Sequence, residues 1–337
     1  MSLDACLPAE LRGPDTTITK IGVGLSGAGV HRVEAEGRAY VLKVAAEGQP
    51  LADWRRMLFI LRAAADGGLA PRVVHVDESR RAIVSEFIAD QSFPRLYRDA
   101  RTRADALALL GATLRRVHAL PVPPDAVPSE PRHLLDTISK QWASRTLPRV
   151  ALDAVARALK EPPPPAERAL VLSHNDANPT NLVLDGERIL FLDWDVAAPN
   201  DPLYDLAVAS LFLRMDEVTC RQLIAAHDDA PPSPLPHVFL YYRWLAGVML
   251  GVGFLALACE VGHDGTAEPA TLEAVPPLGE FYSKLQAGVL SLATGEGRWA
   301  FGLGLLKEAH ALKLTVHITP IPDLHDADDQ CIVHDLI

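Results

Sequence analysis

The tightest constraint on this chain is the spacing of three polar residues: Asp176, Asn181 five positions later, and Asp193 seventeen positions beyond Asp176. Residues 174–181 read His-Asn-Asp-Ala-Asn-Pro-Thr-Asn, a polar loop, and Val171 and Leu172 ahead of it end a short buried strand. Two apolar runs follow, 182–184 and 189–192, separated by Asp185-Gly186, a strong hairpin-turn signal. A loop feeding a hairpin brings Asp176, Asn181 and Asp193 close together. A carboxylate to take a hydroxyl proton, then an amide and a second carboxylate to hold a divalent cation, are the parts that phosphoryl transfer requires. An ordinary hairpin accounts for Asp, Asn and Pro one at a time. It does not account for their intervals together with the flanking strands.

Upstream, three short strand-like pieces cover 18–23, 30–35 and 39–44, bounded by glycines as hairpins require. Between the first two, residues 22–29 read Gly-Val-Gly-Leu-Ser-Gly-Ala-Gly, small enough for backbone N–H groups to close over phosphate. A glycine-rich loop alone is weak evidence. It gains meaning from Lys43, fourteen residues beyond Gly29, in a strand reading Tyr-Val-Leu-Lys-Val. No Gly-x-x-x-x-Gly-Lys-Ser/Thr is present, so a P-loop nucleotidase is not supported. Residues 51–65 carry a helical pattern on Leu51, Trp54, Leu58 and Leu61, and strands are expected over 71–76 and 81–87.

From there the pattern becomes helical. Residues 104–118 place apolar side chains at 107, 110, 114 and 117 on one face. Helices are expected near 133–144 and 151–159, separated from the catalytic stretch by the extended prolines 162–165. Asp201 is a candidate N-cap, with Pro202 in the first turn of the next helix. Further helical patterns run over 216–227, 236–260, 273–293 and 299–313, and residues 318–337 read as a loosely held acidic tail.

At 337 residues and 49% hydrophobic content the chain has material for two cores. A net charge of −11 argues against general affinity for nucleic acid. The four cysteines, Cys6, Cys220, Cys259 and Cys331, lack paired spacing and fit a reducing cytoplasm. Residues 1–14 have no apolar core of the secretory kind. The longest apolar run, 244–259, falls short of the roughly 20 residues of a membrane span, so a buried helix and no membrane association are expected, with Gly247, Gly251 and Gly253 allowing close approach.

With these residues in view, the chain resembles the aminoglycoside phosphotransferase and choline kinase family. The resemblance implies an α+β, protein-kinase-like bilobal fold, with a small antiparallel-sheet N-lobe (1–87), a mostly helical C-lobe (88–316) and a tail (317–337). It implies ATP and Mg²⁺ as cofactors. Asp176 would orient the acceptor hydroxyl and take its proton. Lys43 would contact the α- and β-phosphates, and Asn181 and Asp193 would hold Mg²⁺. Gly24, Ser26 and Gly27 would cover the phosphates, while backbone groups of Glu86, Phe87 and Ile88 would meet the adenine. His174 would bond backbone near the metal-binding turn, and Asp205 would brace the loop. At the position of the family's acidic partner for Lys43 the helix over 51–65 has Arg55, Arg56 and Met57, which leaves Asp53 as the nearest candidate and Glu47, ahead of the helix, as a poorer one.

Only twelve residues separate Asp193 from Asp205, too few for a protein kinase's activation segment, and His-Asn-Asp replaces His-Arg-Asp. A small-molecule hydroxyl acceptor is therefore expected. His-Asn-Asp and Asn-Asp-Pro-Leu-Tyr-Asp-Leu-Ala are most similar to choline and ethanolamine kinases. Asp195 would then neutralise a cationic acceptor, and Tyr241, Tyr242 and Trp244 could offer cation–π faces, although aromatics in a helix are more often core than cage. Thiamine, aminoglycosides, homoserine and sugars stay open as acceptors. A nucleotide-binding pseudokinase is the alternative of another class.

Overall fold

The computed structural model describes residues 2–21, 29–142, 147–166, 168–265, 269 and 271–318. Strands β1 (Thr17–Lys20), β2 (Gly29–Ala35), β3 (Arg38–Val44), β4 (Val73–Asp77) and β5 (Ala82–Glu86) form one antiparallel sheet, ordered β1-β2-β3-β5-β4. The β2–β3 turn places Glu36 and Gly37 at φ 52° and 73°, the paired left-handed conformation that a two-residue hairpin between twisted strands selects. Residues 22–28, with Gly24, Ser26 and Gly27 of the expected phosphate loop, lie outside the described residues.

Alternation along β2, β3 and β5 gives the sheet two apolar faces. On one, Val33, Leu42 and Val84 are covered by Cys6, Leu7 and Leu11 of the N-terminal segment. That segment has no run of apolar residues, but two 3₁₀ turns, Leu3–Cys6 and Ala9–Leu11, gather its few onto the sheet. The other face receives α1 (Leu51–Asp66), whose Trp54, Met57 and Leu58 pack on Ile83. Lys43 is the cross-strand partner of Ile83 and so shares the α1 face.

The remainder is helical: α2 (Phe93–Arg98), α3 (Arg103–His118), α4 (Pro131–Trp142), α5 (Arg149–Lys160), α6 (Pro202–Phe212), α7 (Glu217–Asp228), α8 (His237–Glu260), α9 (Leu278–Gln286) and α10 (Gly295–Ile318). Between α5 and α6 lie β6 (Val171–Ser173), β7 (Leu182–Asp185), β8 (Arg188–Phe191) and β9 (Ala198–Asn200), with β6 paired to β9 and β7 to β8. The β7–β8 turn is Gly186-Glu187, closed by the Asp185↔Arg188 pair and carried by Gly186 at φ 61°. The hairpin is tied to the sheet half by main-chain bonds: Gln91 N–H to Leu184 O at 3.0 Å and Phe191 N–H to Leu69 O at 2.7 Å. Asp90 Oδ1 accepts the Leu184 N–H at 2.9 Å. These contacts fix the β7–β8 hairpin against Leu69 and residues 90–91.

Two expectations about the helices change. The pattern over 273–293 is not one helix but a 3₁₀ turn, Leu272–Ala274, and then α9, because Pro276 and Pro277 cannot continue a helix. Residues 317 and 318, expected in the tail, belong to α10, and 319–337 lie outside the described residues. Helix α8 has 24 residues and is long and apolar enough to cross a membrane, yet 56% of its apolar window is buried among the other helices. A Cβ on Gly247 would stand 2.9 Å from Ala309 Cβ, and one on Gly251 would stand 2.8 Å from Leu306 Cγ, so both glycines admit α10. Gly253 faces open space.

Helix α3 meets α7 still more closely. A Cβ on Gly111 would lie 2.6 Å from Ala226 Cβ and 2.7 Å from the His227 backbone nitrogen. Because backbone cannot yield as a side-chain tip does, Gly111→Ala is expected to lower unfolding free energy by about 1–3 kcal/mol. Gly253→Ala, with space around it, is expected to raise it by up to about 1 kcal/mol. Urea unfolding of the two variants checks the contrast.

Candidate active site

Strand β3 delivers Lys43 and the end of β8 delivers Asp193. Lys43 Nζ lies 2.7 Å from Asp193 Oδ1 and 2.7 Å from Asp195 Oδ1. Burial pulls the Lys43 ammonium down, but the two carboxylates outweigh it and leave its pKa above the ordinary lysine range. Burial pushes Asp193 up, and the Lys43 charge and bond hold it below the usual carboxylate value. Asp195, the second claimant on the same ammonium, stays above it through burial and the Asp193 charge. The sequence left the acidic partner of Lys43 open, with Asp53 on α1 as the nearest candidate. Asp53 there is spent on Arg56 at 2.9 Å, and α1 presents Trp54 and Met57 instead. Asp195 supplies a second carboxylate, with its Oδ1 on the lysine.

The loop between β6 and β7 holds Asp176 from both sides. Asn178 Nδ2 donates to Asp176 Oδ1 at 2.7 Å, and Asn181 Nδ2 donates to Oδ2 at 2.8 Å and to the Asp176 carbonyl at 3.1 Å. Burial raises the Asp176 pKa, with Asp193 adding to it, against those two bonds. His174 Nε2 lies 2.8 Å from Leu192 O, just before Asp193, where a loop-bracing histidine was expected. Asn175 has φ 63° and Asp193 φ 58°, left-handed conformations that Asn and Asp tolerate better than other side chains.

Asn175 shows why a polar amide suits this position. Its Nδ2 donates to Val196 O at 3.0 Å and Ala198 O at 3.2 Å, and its Oδ1 accepts from Asn200 Nδ2 at 2.8 Å. Sequence reasoning noted only that it replaces an arginine. Asp205, at the start of α6, is fully buried and accepts the N–H groups of His174 and Asn175 at 2.8 and 2.7 Å and faces His118 Nε2 at 3.0 Å. Burial pushes its carboxyl up, but the His118 bond and charge and the loop N–H outweigh this and hold its pKa below the ordinary range. Asp201 caps α6 by accepting the Leu203 N–H at 2.9 Å, as the sequence indicated.

Other expectations shift. The N–H groups of Glu86 and Phe87, two of the residues expected to meet adenine through their backbone, donate to Arg72 O and Ala39 O at 3.0 and 3.2 Å. Tyr241 and Trp244, each 6% exposed, are core residues in edge-on contact with each other and not a cation cage. Tyr242 is half-buried and edge-on to Tyr204, and burial and Asp201 push its hydroxyl pKa up to about 12. A cavity of about 260 Å³ beside the ion pair is lined by Lys43, Trp54, Met57, Ile83 and Asp195 among others. A larger one, about 690 Å³, runs along α1 and β4 to Glu86 and Ile88 and touches none of Lys43, Asp176 or Asp193.

The donor types at the site fit a hard cation. Among the described residues no group of three or more His, Cys, Asp or Glu encloses a metal ion. Mg²⁺ asks for less, being held by one or two carboxylates together with substrate phosphates and water, and Asp193 and the Asn181 amide oxygen are donors of the type that would hold it.

The Asp205 carboxylate generates a prediction with a definite sign. Its folded pKa is depressed, so its stabilisation is present above the unfolded value of about 3.9 and lost as pH falls through the folded value. Asp205→Asn should therefore cost about 3–5 kcal/mol at pH 7, and the gap from the unsubstituted protein should narrow below about pH 4. Chemical unfolding at the two pH values measures both.

Comparison with known proteins supplies the family. The sequence profile of the phosphotransferase enzyme family (APH) matches residues 17–234. Protein LicA of Haemophilus influenzae is 47% identical over 34 residues, 10% of this chain and 13% of that protein, so the match spans a small part of the curated relative. The structure of a choline/ethanolamine kinase family protein from Mesorhizobium loti superposes with TM-score 0.56 at 21% identity, covering 92% of this chain and 95% of the other. Choline kinase LicA from Streptococcus pneumoniae gives TM-score 0.57 at 14% identity over 87% and 93%. At these identities the superpositions show a shared protein-kinase-like fold, and the profile covers well over half of the sequence: the chain belongs to the phosphotransferase enzyme family.

Proposed function

We propose that this phosphotransferase is an ATP- and Mg²⁺-dependent kinase that moves the γ-phosphoryl group to the hydroxyl of an amino alcohol such as choline or ethanolamine. The observation that carries the kinase reading is the convergence of Lys43 and Asp193 at 2.7 Å beside an Asp176 carboxylate clamped by Asn178 and Asn181. In this reading Mg²⁺ neutralises phosphate charge when bound. Lys43 turns from the two aspartates to the α- and β-phosphates, and Asp176 orients the acceptor hydroxyl and takes its proton. The division at about residue 87 into an N-lobe and a C-lobe then separates nucleotide from acceptor. Cys6 and Cys220 are buried thiols outside any disulfide, which suits an ATP-supplying cytoplasm.

The cationic acceptor draws support from the carboxylates of Asp176, Asp193 and Asp195, which outnumber the single Lys43 at the site. The names of the superposed choline and ethanolamine kinases point the same way. Aminoglycosides and thiamine share the cationic character and belong in the same assay. The non-catalytic alternative leaned on the missing acid of α1, and Asp195 beside Lys43 removes that support.

ADP release measured with Mg²⁺ against a panel of choline, ethanolamine, thiamine, an aminoglycoside, homoserine and a neutral sugar tests the reading. Stimulation by choline or ethanolamine is expected. Stimulation by the sugar alone would overturn the acceptor, and silence across the panel would favour the non-catalytic alternative. Asp176→Asn should lower kcat by about 10²-fold or more with the ATP KM nearly unchanged. Asp195→Asn should raise the ATP KM more than the acceptor KM, because its carboxylate faces Lys43.

A further inference from the structure

The brace on the catalytic loop does not end at Asp205. His118, the last residue of α3, faces Asp205 Oδ2 with Nε2 at 3.0 Å and faces Nε2 of His227 with Nδ1 at 2.8 Å. His227 Nδ1 lies 2.7 Å from Asp228 Oδ1, and Arg168 donates to both Asp228 oxygens at 2.8 and 2.7 Å. Both imidazoles are buried, and their rings meet edge-on with centroids 5.0 Å apart. The close passage of α7 over Gly111 puts His227 within reach of His118.

Counting protons gives this chain of contacts its meaning. An ionised carboxylate only accepts, so the three contacts of Asp205–His118–His227–Asp228 each need one N–H. Two neutral imidazoles carry two. The run is complete only when the pair holds three protons and one positive charge, which with Arg168 balances the two carboxylates. When the third proton leaves, one contact sets lone pair against lone pair in a buried place, where an unmade hydrogen bond is costly.

We propose that His227, held by Asp228 and Arg168, is a positioning residue for the catalytic loop. It shares with His118 the proton that keeps an N–H directed at Asp205, and through Asp205 it sets the backbone of His174 and Asn175 ahead of Asp176. Burial, with His118 adding to it, draws the His227 imidazolium below the ordinary histidine range against the pull of Asp228. The complete network therefore belongs to the acid side and is lost as pH rises. The groups that face the pair are Asp205 from α6, Asp228 on α7 and Arg168 before β6, with His174 of the loop acting on Asp205; Arg115 of α3 pairs with Asp229, just past α7, at 3.2 Å.

Imidazole ¹⁵N–¹H spectra of the whole protein between pH 5 and 8.5 test this without an acceptor. The pair should show three hydrogen-bonded N–H signals at the acid end and lose one with rising pH, and the His174 and Asn175 amide shifts should follow the same midpoint. Arg168 and Asp228 are at the partly exposed outer end, so their variants perturb folding least. Asp228→Asn removes a negative charge and should lower the midpoint, while Arg168→Gln removes a positive one and should raise it. The kinetic arm, ADP release with choline as probe, rests on the proposed function. There the pH dependence of kcat should move with the midpoint in each variant at nearly constant ATP KM, and His227→Gln should lose that inflection with a fall in kcat of about 10-fold or more. Two protected N–H at every pH, variants that shift in the same direction, or loop amides and kcat that ignore the midpoint would overturn the proposal. An absence of turnover with choline while the spectra behave as described would count against the acceptor alone.

Discussion

One ammonium shared between two carboxylates is the interaction on which the arrangement of this molecule depends. Lys43 and Asp193 are 150 positions apart and meet at 2.7 Å, and Asp195 completes the triangle at the same distance. A partly buried ion pair of this kind adds little net stability, because desolvation consumes most of the Coulomb gain. Its value is in register. Lys43 is aimed by the pairing of β3 with β5, and Asp193 by the hairpin and by His174 on Leu192 O, while Gln91, Asp90 and Leu69 tie the hairpin to the sheet half. The sheet therefore presents one cation to one acidic loop, and the hydrophobic packing of both halves maintains that geometry.

Asp205 plays the corresponding part on the helical side. A carboxylate with no exposure is tolerable only if its oxygens are satisfied, and here they take two loop N–H groups and face an imidazole. The loop in return accepts left-handed backbone at Asn175 and Asp193. Strain of that kind costs of order 1–3 kcal/mol per residue and persists only where surrounding bonds over-determine the conformation. The cross-links from Asn175 to Val196, Ala198 and Asn200 supply that over-determination.

What could be read in the sequence was what depends on local pattern. The Asp185-Gly186 signal, the apolar period at 107, 110, 114 and 117, the Asp201-Pro202 helix start and the Asp176, Asn181 and Asp193 intervals all act over a few residues, and each appears in the structure near its expected place. What stayed hidden depends on direction in space. No local rule turns Asp195 toward Lys43 or reveals that Cys6, Leu7 and Leu11 roof the sheet. The missing acid on α1 was visible, but its replacement was not, because the replacement comes from across the cleft. His227 carried no signal, since a histidine at the end of an amphipathic helix looks like any surface residue until Gly111 brings α7 down on α3.

The charge balance of the site also bears on how the proposed reaction would begin. Asp176, Asp193 and Asp195 stand against a single Lys43, and Asp176 and Asp195 both have raised pKa values because burial penalises their charge. A nucleotide polyphosphate arriving alone would add negative charge to an excess already present. With a divalent cation, Asp193 would gain a stronger partner than an ammonium and Lys43 would be free for the phosphates, while Asn181 already stands against Asp176. On the proposed function, the Lys43 bridge is then a resting contact whose exchange for metal and phosphate assembles the site. It lets a small buried space hold so many carboxylates without forfeiting the fold.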